Sequence, residues 1–433
     1  MKLELRQAAL FKMLREKGFV SAGDLVRGLR LSRATLASLL THFSGQVVSV
    51  GETRNRHYGL MRPLPDLSAE LPLFRITHSG QLNPIGKLVV LHDGCFLVQP
   101  QNQKFFSLPM EIIDMQPQGF MGRAFASQFA DELGLSPRLQ DWSDDHFLRA
   151  IARRGEDLPG NLVLGEESAL RWQKNVHAPI RRTALLKNAN RAMEDQPIGS
   201  SAGGEQPKFT SLIEGKHCLV KFSGPFDRPD KRRWCDLLHC EAIAGDVLKS
   251  HGIDAASTRM TVDGQFVFLE VERFDRVGLQ GRKSYVSFAA VDGFLFGNRD
   301  SWTASAIRLQ QARLLSEVDL IKIKTIDLFA RLIGDSDRHF HNLGLWPNFE
   351  NEASLLPMSY KLAPVFDKLP MMFAPIDGRV IEREFIVPVP GADVIDVWKP
   401  ALSLAKTFWD VIAKHQLISA GFRKIAKDCL GKL

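Results

Sequence analysis

Asp337 and Asn342 stand five apart in the run Gly334-Asp335-Ser336-Asp337-Arg338-His339-Phe340-His341-Asn342. That is the spacing at which a phosphoryl-transfer loop sets a base for the substrate hydroxyl beside an amide that holds a divalent cation on the phosphates. Asp367, in Pro364-Val365-Phe366-Asp367-Lys368-Leu369-Pro370-Met371, is the candidate second cation ligand. Upstream, Gly199-Ser200-Ser201-Ala202-Gly203-Gly204 precedes Glu205-Gln206-Pro207-Lys208, and such a loop lets backbone N–H groups converge on an anion without side-chain obstruction. Lys221 interrupts the apolar strand Cys218–Phe222, where alternation sets Cys218, Val220 and Phe222 on one face and Lys221 with Leu219 on the other. Glu241 follows on a helix opening near Asp230, and shares a face with Leu237, Ala244 and Leu248. A buried carboxylate needs a partner, and Lys221 is the natural one.

Each of these residues has a plainer reading. Lys221 could lie on a surface edge strand, Glu241 could face water, and 334–342 could be a polar loop between helices. Asp335, Asp337, His339 and His341 also alternate, as ligands of a hard cation for phosphodiester cleavage do. A metal-dependent DNA nuclease is therefore the second reading, although it leaves the glycine loop and Lys221 without work. A DNA-binding regulator with an inactive kinase-like body is the third.

The elements that would position these groups follow from periodicity. A strongly apolar helix over roughly Val318–Ile333 delivers the 334–342 loop. Hairpins are expected about Glu214-Gly215 and Thr261–Gln265, with the strand Phe266–Val271 leading to Glu272-Arg273-Phe274-Asp275-Arg276. Residues 73–175 read as a structural subdomain without chemistry of its own, with strands at 87–91 and 95–98, a helix near 144–154 and a strand at 162–164. Pro63, Pro65 and Pro72 mark 61–72 as a linker.

Residues 1–60 carry ten Lys/Arg against four Asp/Glu, while the whole 433-residue chain is only +7. A charge bias confined to one short module implies a local polyanion partner. Helices over about 5–17 and 21–29 and a third opened by Ser32 are expected, the third burying Leu36, Leu39, Leu40 and Phe43. This leaves Arg33, Thr35, Ser38 and His42 to contact DNA, with Arg54 and Arg56 at the tip of a following hairpin wing. The module reads as a winged helix-turn-helix. No apolar run approaches the ~20 residues that span a bilayer, the N-terminus lacks a secretory core, and five scattered cysteines outline neither disulfides nor a zinc site. A cytoplasmic location without membrane partners is expected.

Taken in order, SSAGGEQPK at 200–208, DSDRHFHN at 335–342 and FDKLPM at 366–371 resemble the HipA family of bacterial toxin kinases, over about residues 73–433. The fused N-terminal module is most similar to the HipH-like branch. The resemblance implies an α+β, two-lobed protein-kinase-like fold behind the winged module, with a first subdomain at 73–175, an N-lobe-like part at 176–275 and a helical C-lobe at 276–433. It implies ATP and Mg²⁺ as cofactors and serine or threonine of a cellular protein as acceptor. Asp337 would be the catalytic base, and Asn342 and Asp367 the Mg²⁺ ligands. Gly203, Gly204, Glu205, Gln206, Pro207 and Lys208 would cover the phosphates and Lys221 would bind them. Glu272, Arg273 and Phe274, in VERFDR at 271–276, would meet the adenine; His339, Phe340, His341 and Phe366 would complete the nucleotide site. Ser201 matches the loop serine whose autophosphorylation silences such kinases, since a dianion there competes for the same N–H groups. The family often has lysine where this chain has His341. Such toxins normally pair with a separate helix-turn-helix antitoxin, which makes one an expected partner beside DNA and the protein substrate.

Overall fold

Three helices, Lys2–Lys17, Ala22–Leu29 and Arg33–His42, open the chain. Ser21 and Ser32 cap the second and third, accepting from the backbone N–H of Asp24 and Thr35. The strand Val47–Val50 returns as His57–Leu60, whose other edge takes Val20–Ser21. Leu10, Leu14, Leu25, Leu36, Leu39 and Phe43 bury together as the module's own core, with Leu40 only half-buried beside them. The computed structural model describes residues 2–52, 55–174, 185–194 and 206–433.

The expected linker is packed structure instead. Met61 bridges to Leu91, Arg62 forms a two-pronged pair with Asp145, and the strand Glu70–Ile76 begins within it. Pro72 sits in that strand opposite Gly165, at the end of the pairing with Leu162–Leu164; its carbonyl accepts from Gly165 N–H at 2.8 Å, and only the reciprocal bond that an N–H there would make is absent. The strand belongs to a five-stranded antiparallel sheet ordered Gln103–Phe105, Phe96–Gln99, Leu82–Val90, Glu70–Ile76, Leu162–Leu164. Val48 and Met61 bury against Val89, Leu91 and Leu97 of this sheet, with Phe19 and Val50 alongside. The N-terminal module is thus docked through an apolar face. The helix Asp144–Arg154 and the strand Leu162–Leu164 lie where periodicity expects them.

Beyond residue 206 the chain forms a four-stranded antiparallel sheet ordered Thr258–Asp263, Phe266–Glu272, Lys216–Ser223, Lys208–Ile213. The long helix Pro229–Ser250 packs on it, opened by a proline whose absent N–H would have had no helical partner. The helices Phe288–Leu295, Trp302–Gln311, Glu317–Leu332, Trp398–Lys414 and Ala420–Lys432 share one large apolar core, in which Trp302, Phe329, Phe408 and Trp409 are almost wholly buried. The domain built on the five-stranded sheet, the middle one of the chain, is fixed to this body by Arg75. Its guanidinium grips Glu111 at 2.8 and 2.9 Å, Asn161 at 2.9 Å and the carbonyl of Glu352 at 2.7 Å. Among the described residues no helix is long and apolar enough to cross a membrane.

Candidate functional site

Lys221 lies on an inner strand, paired with Leu269 on one side and Lys208 on the other, so the edge-strand reading fails. Its neighbours Cys218, Val220 and Phe222 enter an apolar cluster on the opposite face. Its ammonium stands 2.8 Å from both carboxylate oxygens of Glu241, which descends from the long helix. The same ammonium also pairs with Asp367. Burial opposes the charge on Lys221, but Asp367 and Glu241 together outweigh it and hold the lysine protonated above its ordinary range. Burial likewise works against an ionised Asp367, and Lys221 with Lys208 overcomes it, so this carboxyl titrates below its usual range. Glu241 moves upward because burial and the Asp367 charge together exceed the pull of Lys221.

Asp367 is presented by a stitched backbone. Val365 donates to the Asp254 carbonyl at 2.9 Å and accepts from Ala256 at 2.8 Å. Asp367 itself has φ +57°, a left-handed conformation in which a non-glycine residue is strained, commonly by ~1–3 kcal/mol. Such strain persists where the surroundings impose it. Here Phe366 is anchored beside Phe274, at 5.7 Å between ring centres, and Asp367 is bound to Lys221.

The 334–342 loop leaves the Glu317–Leu332 helix through Gly334, at φ +73°. It is braced from within: Asp337 N–H donates to Asp335 Oδ1 at 3.0 Å, and Asn342 Nδ2 donates to the Asp337 carbonyl at 2.9 Å. Arg338 ties the loop back to Asp327 of the helix at 2.8 Å. The Asp337 main chain is therefore fixed while its carboxylate is half exposed, 3.8 Å from His339 Nε2. A carboxylate held this way can accept a proton from an incoming hydroxyl. Asn342 has no hydrogen bond to its amide oxygen among the described residues, and Asp367 is kept ionised, so the pair fits a divalent cation.

Asp335 is buried, and its Oδ2 has no hydrogen-bond partner among the described residues. Burial raises its pKa to about 7 against the opposing pull of Lys368. His341 is the reverse case: burial, then His339 and Arg299, lower its pKa to about 4. It is neutral at pH 7, and its Nδ1 lies 3.3 Å from Gln118 Nε2, which comes from the middle domain. Asp335, Asp337, His339 and His341 do not converge. Among the described residues no three His, Cys, Asp or Glu side chains gather as a metal site, and the nuclease reading loses its ligands.

The remaining expected residues divide. Phe274 joins Phe366, Tyr285 and Trp346 in an aromatic wall. The Glu272 side chain pairs with Lys216 at 2.8 Å across neighbouring strands of one sheet, and Arg273 is held by Asp157 of the preceding domain at 3.0 Å and by Asp275. Phe340 turns into the core and stacks on Phe288 at 5.6 Å, anchoring the loop. Gln206 donates to the Phe222 carbonyl, Pro207 accepts from Phe222 N–H at 3.2 Å, and Lys208 lies across from Lys221. Ser201, Gly203, Gly204 and Glu205 fall outside the described residues, as does Arg54. Arg33, Ser38, His42 and Arg56 are exposed, whereas the Thr35 hydroxyl is engaged with Ser32 at 2.8 Å in the helix cap. Periodicity gave no sign of Gln118. Lys368 is visible in the sequence only as the lysine between Asp367 and Leu369 in the run FDKLPM.

Residues 67–173 match the family described as YjjJ-like toxin, middle domain, and residues 200–407 match the HipA-like C-terminal domain. Toxin YjjJ of Escherichia coli K12 is 32% identical over 432 residues, covering 95% of this chain and 94% of that one. Among solved structures, the HipA toxin–antitoxin complex of Shewanella oneidensis MR-1, with HipB and operator DNA, superposes with a TM-score of 0.54 at 18% identity. That likeness of fold covers 84% of this chain and 96% of the other. On full-length identity and the matched C-terminal domain, this chain belongs to the HipA family of toxins.

Proposed function

We propose that the chain is an ATP- and Mg²⁺-dependent serine/threonine kinase whose N-terminal module binds DNA. The observation that carries the reading is the single ammonium of Lys221 shared by Glu241 and Asp367. A lysine joined to a helix glutamate and to the acidic holder of a cation is the arrangement that orients a nucleotide's phosphates. The bound Mg·ATP would supply the transferable phosphoryl group and the charge neutralisation that eases its departure. Lys221 would grip the phosphates, Asn342 and Asp367 would hold the cation, and Asp337 would take the proton of a serine or threonine hydroxyl. His341, being neutral, would donate a hydrogen bond from Nε2 in place of a cation. Gln206 and Lys208 would continue the phosphate cover from the glycine loop, and Ser201 would be its self-modified residue.

The exposed Arg33, Ser38, His42 and Arg56 support DNA contact by the N-terminal module. The HipA relative was solved with an antitoxin and operator DNA. For this chain we propose the same classes of partner, with the DNA-reading helix carried on the same polypeptide. The test is incubation with labelled ATP and Mg²⁺, followed by comparison of phosphorylated proteins in cells making wild type or Asp337→Asn. Label on Ser201 or a cytosolic protein, absent in the variant, is expected. No transfer by the wild type would sink the reading.

A further inference from the structure

Lys368 is only 2% exposed, yet it has no ion pair among the described residues. Its ammonium donates to the carbonyl of Asn342 at 3.0 Å and to the carbonyl of Asp367 at 3.3 Å. The third side of the ammonium faces the ring of Trp302, 4.5 Å from its centre. Trp302 is itself almost wholly buried at the start of the Trp302–Gln311 helix. The three N–H donors of the lysine are thereby matched by two oxygens and one π face.

Burying an ammonium without a paired carboxylate is unfavourable, and an apolar side chain of similar volume would pack this position at less cost. What the ammonium adds is a grip on two peptide groups that are 25 residues apart in the chain, those of Asn342 and Asp367. These are the residues whose side chains the proposed reaction assigns to the cation. The grip falls on backbone, so it sets where both Cα atoms stand before any ligand arrives. It also bears on Asp367 where its backbone is left-handed, at φ +57°.

We propose that Lys368 is a positioning residue, clamping the backbones of Asn342 and Asp367 so that their side chains are preorganised for one divalent cation. The inference rests on the kinase reading for the identity of the cation site. Groups that orient metal ligands without touching the metal commonly change metal affinity by ~10–100-fold when removed.

The experiment compares full-length wild type, Lys368→Met and Lys368→Gln for binding of a non-hydrolysable ATP analogue by calorimetry, across a Mg²⁺ titration and without Mg²⁺. Methionine keeps much of the volume and loses every donor; glutamine is uncharged, one bond shorter and able to reach one carbonyl at most. The expected result is a Mg²⁺ requirement raised about tenfold or more in Lys368→Met, with a smaller rise in Lys368→Gln. Metal-free binding of the analogue should stay within about twofold of wild type, because Lys221 and the glycine loop are untouched. A wild-type Mg²⁺ requirement in the folded variants overturns the proposal. So does an equal loss of binding with and without Mg²⁺, which would mark a general packing role. If Lys368→Met does not fold, Lys368→Gln decides by the same criteria. A wild type whose analogue binding ignores Mg²⁺ overturns the kinase reading and this inference together, an outcome distinct from failure of the variants alone.

Discussion

Lys221 Nζ lies 2.8 Å from each carboxylate oxygen of Glu241, and both side chains are buried. Because Asp367 binds the same ammonium, loss of the lysine and loss of the glutamate are unequal events. Glu241→Gln leaves Lys221 still paired with Asp367. Lys221→Met leaves two carboxylates facing each other with Lys208 as the main cation left to offset them. Breaking a buried pair typically costs ~3–5 kcal/mol, so Glu241→Gln is expected at or below the lower end and Lys221→Met at the upper end. Denaturant unfolding of the two variants checks the order; a reversed order would contradict Lys221 as the common partner.

Asp337 presents the opposite case. Its N–H and carbonyl are used inside the loop, but its carboxylate is half exposed and holds nothing in place. Asp337→Asn should therefore leave unfolding free energy within about 0.5 kcal/mol of wild type. Phosphoryl transfer should fall by about 10²-fold or more with nucleotide binding retained. A variant that loses stability and transfer in step would make Asp337 a structural residue.

The parts of the site that could be read in the sequence are those carried by local period and spacing. Lys221 and Glu241 each stood out against an apolar face, and a charge on such a face has few partners to choose from. Asp337 and Asn342 belong to one short loop, so their distance in the chain constrains their distance in space. What escaped notice depends on contacts between distant segments. Gln118 meets His341 across the docking of the middle domain, Lys368 meets Trp302 across the helical core, and Arg75 reaches the Glu352 carbonyl. Phe340 and Arg273 are expected at the nucleotide because they lie within motifs, yet the Phe340 ring packs on Phe288 and the Arg273 side chain binds Asp157 of the preceding domain. Prolines suggest breaks over 61–72, whereas Pro72 stands within the strand Glu70–Ile76.

The Gln118–His341 contact makes the middle domain part of the surroundings of the 334–342 loop. Burial is the main cause of the low His341 pKa of about 4. Gln118→Ala would admit water beside the ring, so its pKa should rise toward the free value of about 6.5. Titration of the His341 ring protons by NMR checks this, with a midpoint near about 4 in wild type and a higher one in the variant. An unchanged midpoint would mean that Gln118 does not shield the ring.

Exposed Arg33 and Arg56 are the proposed phosphate or base contacts of the N-terminal module. Each cation that neutralises a phosphate contributes about 0.9 to the slope of log affinity against log salt. Arg33→Ala and Arg56→Ala should each weaken DNA binding and lower that slope by about one if they touch phosphate. A loss confined to one DNA sequence, with the slope unchanged, would assign the residue to a base edge. Binding curves at several salt concentrations separate the two, and no change in either quantity would remove the residue from the interface.

Asp335 is a buried carboxyl whose Oδ2 lacks a partner among the described residues and whose pKa is raised to about 7, mainly by burial. Its unfolded value is near the ordinary 3.8. A raised pKa means that the folded state keeps the proton after the unfolded state has released it. The stability this group contributes is thus fully present below about pH 3.8 and is lost as pH rises toward about 7. Asp335→Asn removes the ionisation but keeps a side-chain oxygen for the Asp337 N–H. Relative to wild type, the variant should gain stability between pH 4 and pH 7.5, by up to about 4 kcal/mol for a shift of this size. Unfolding measured at both pH values checks it. A gap between the two proteins that stays constant with pH would mean that Asp335 ionises as freely in the folded chain as in the unfolded one.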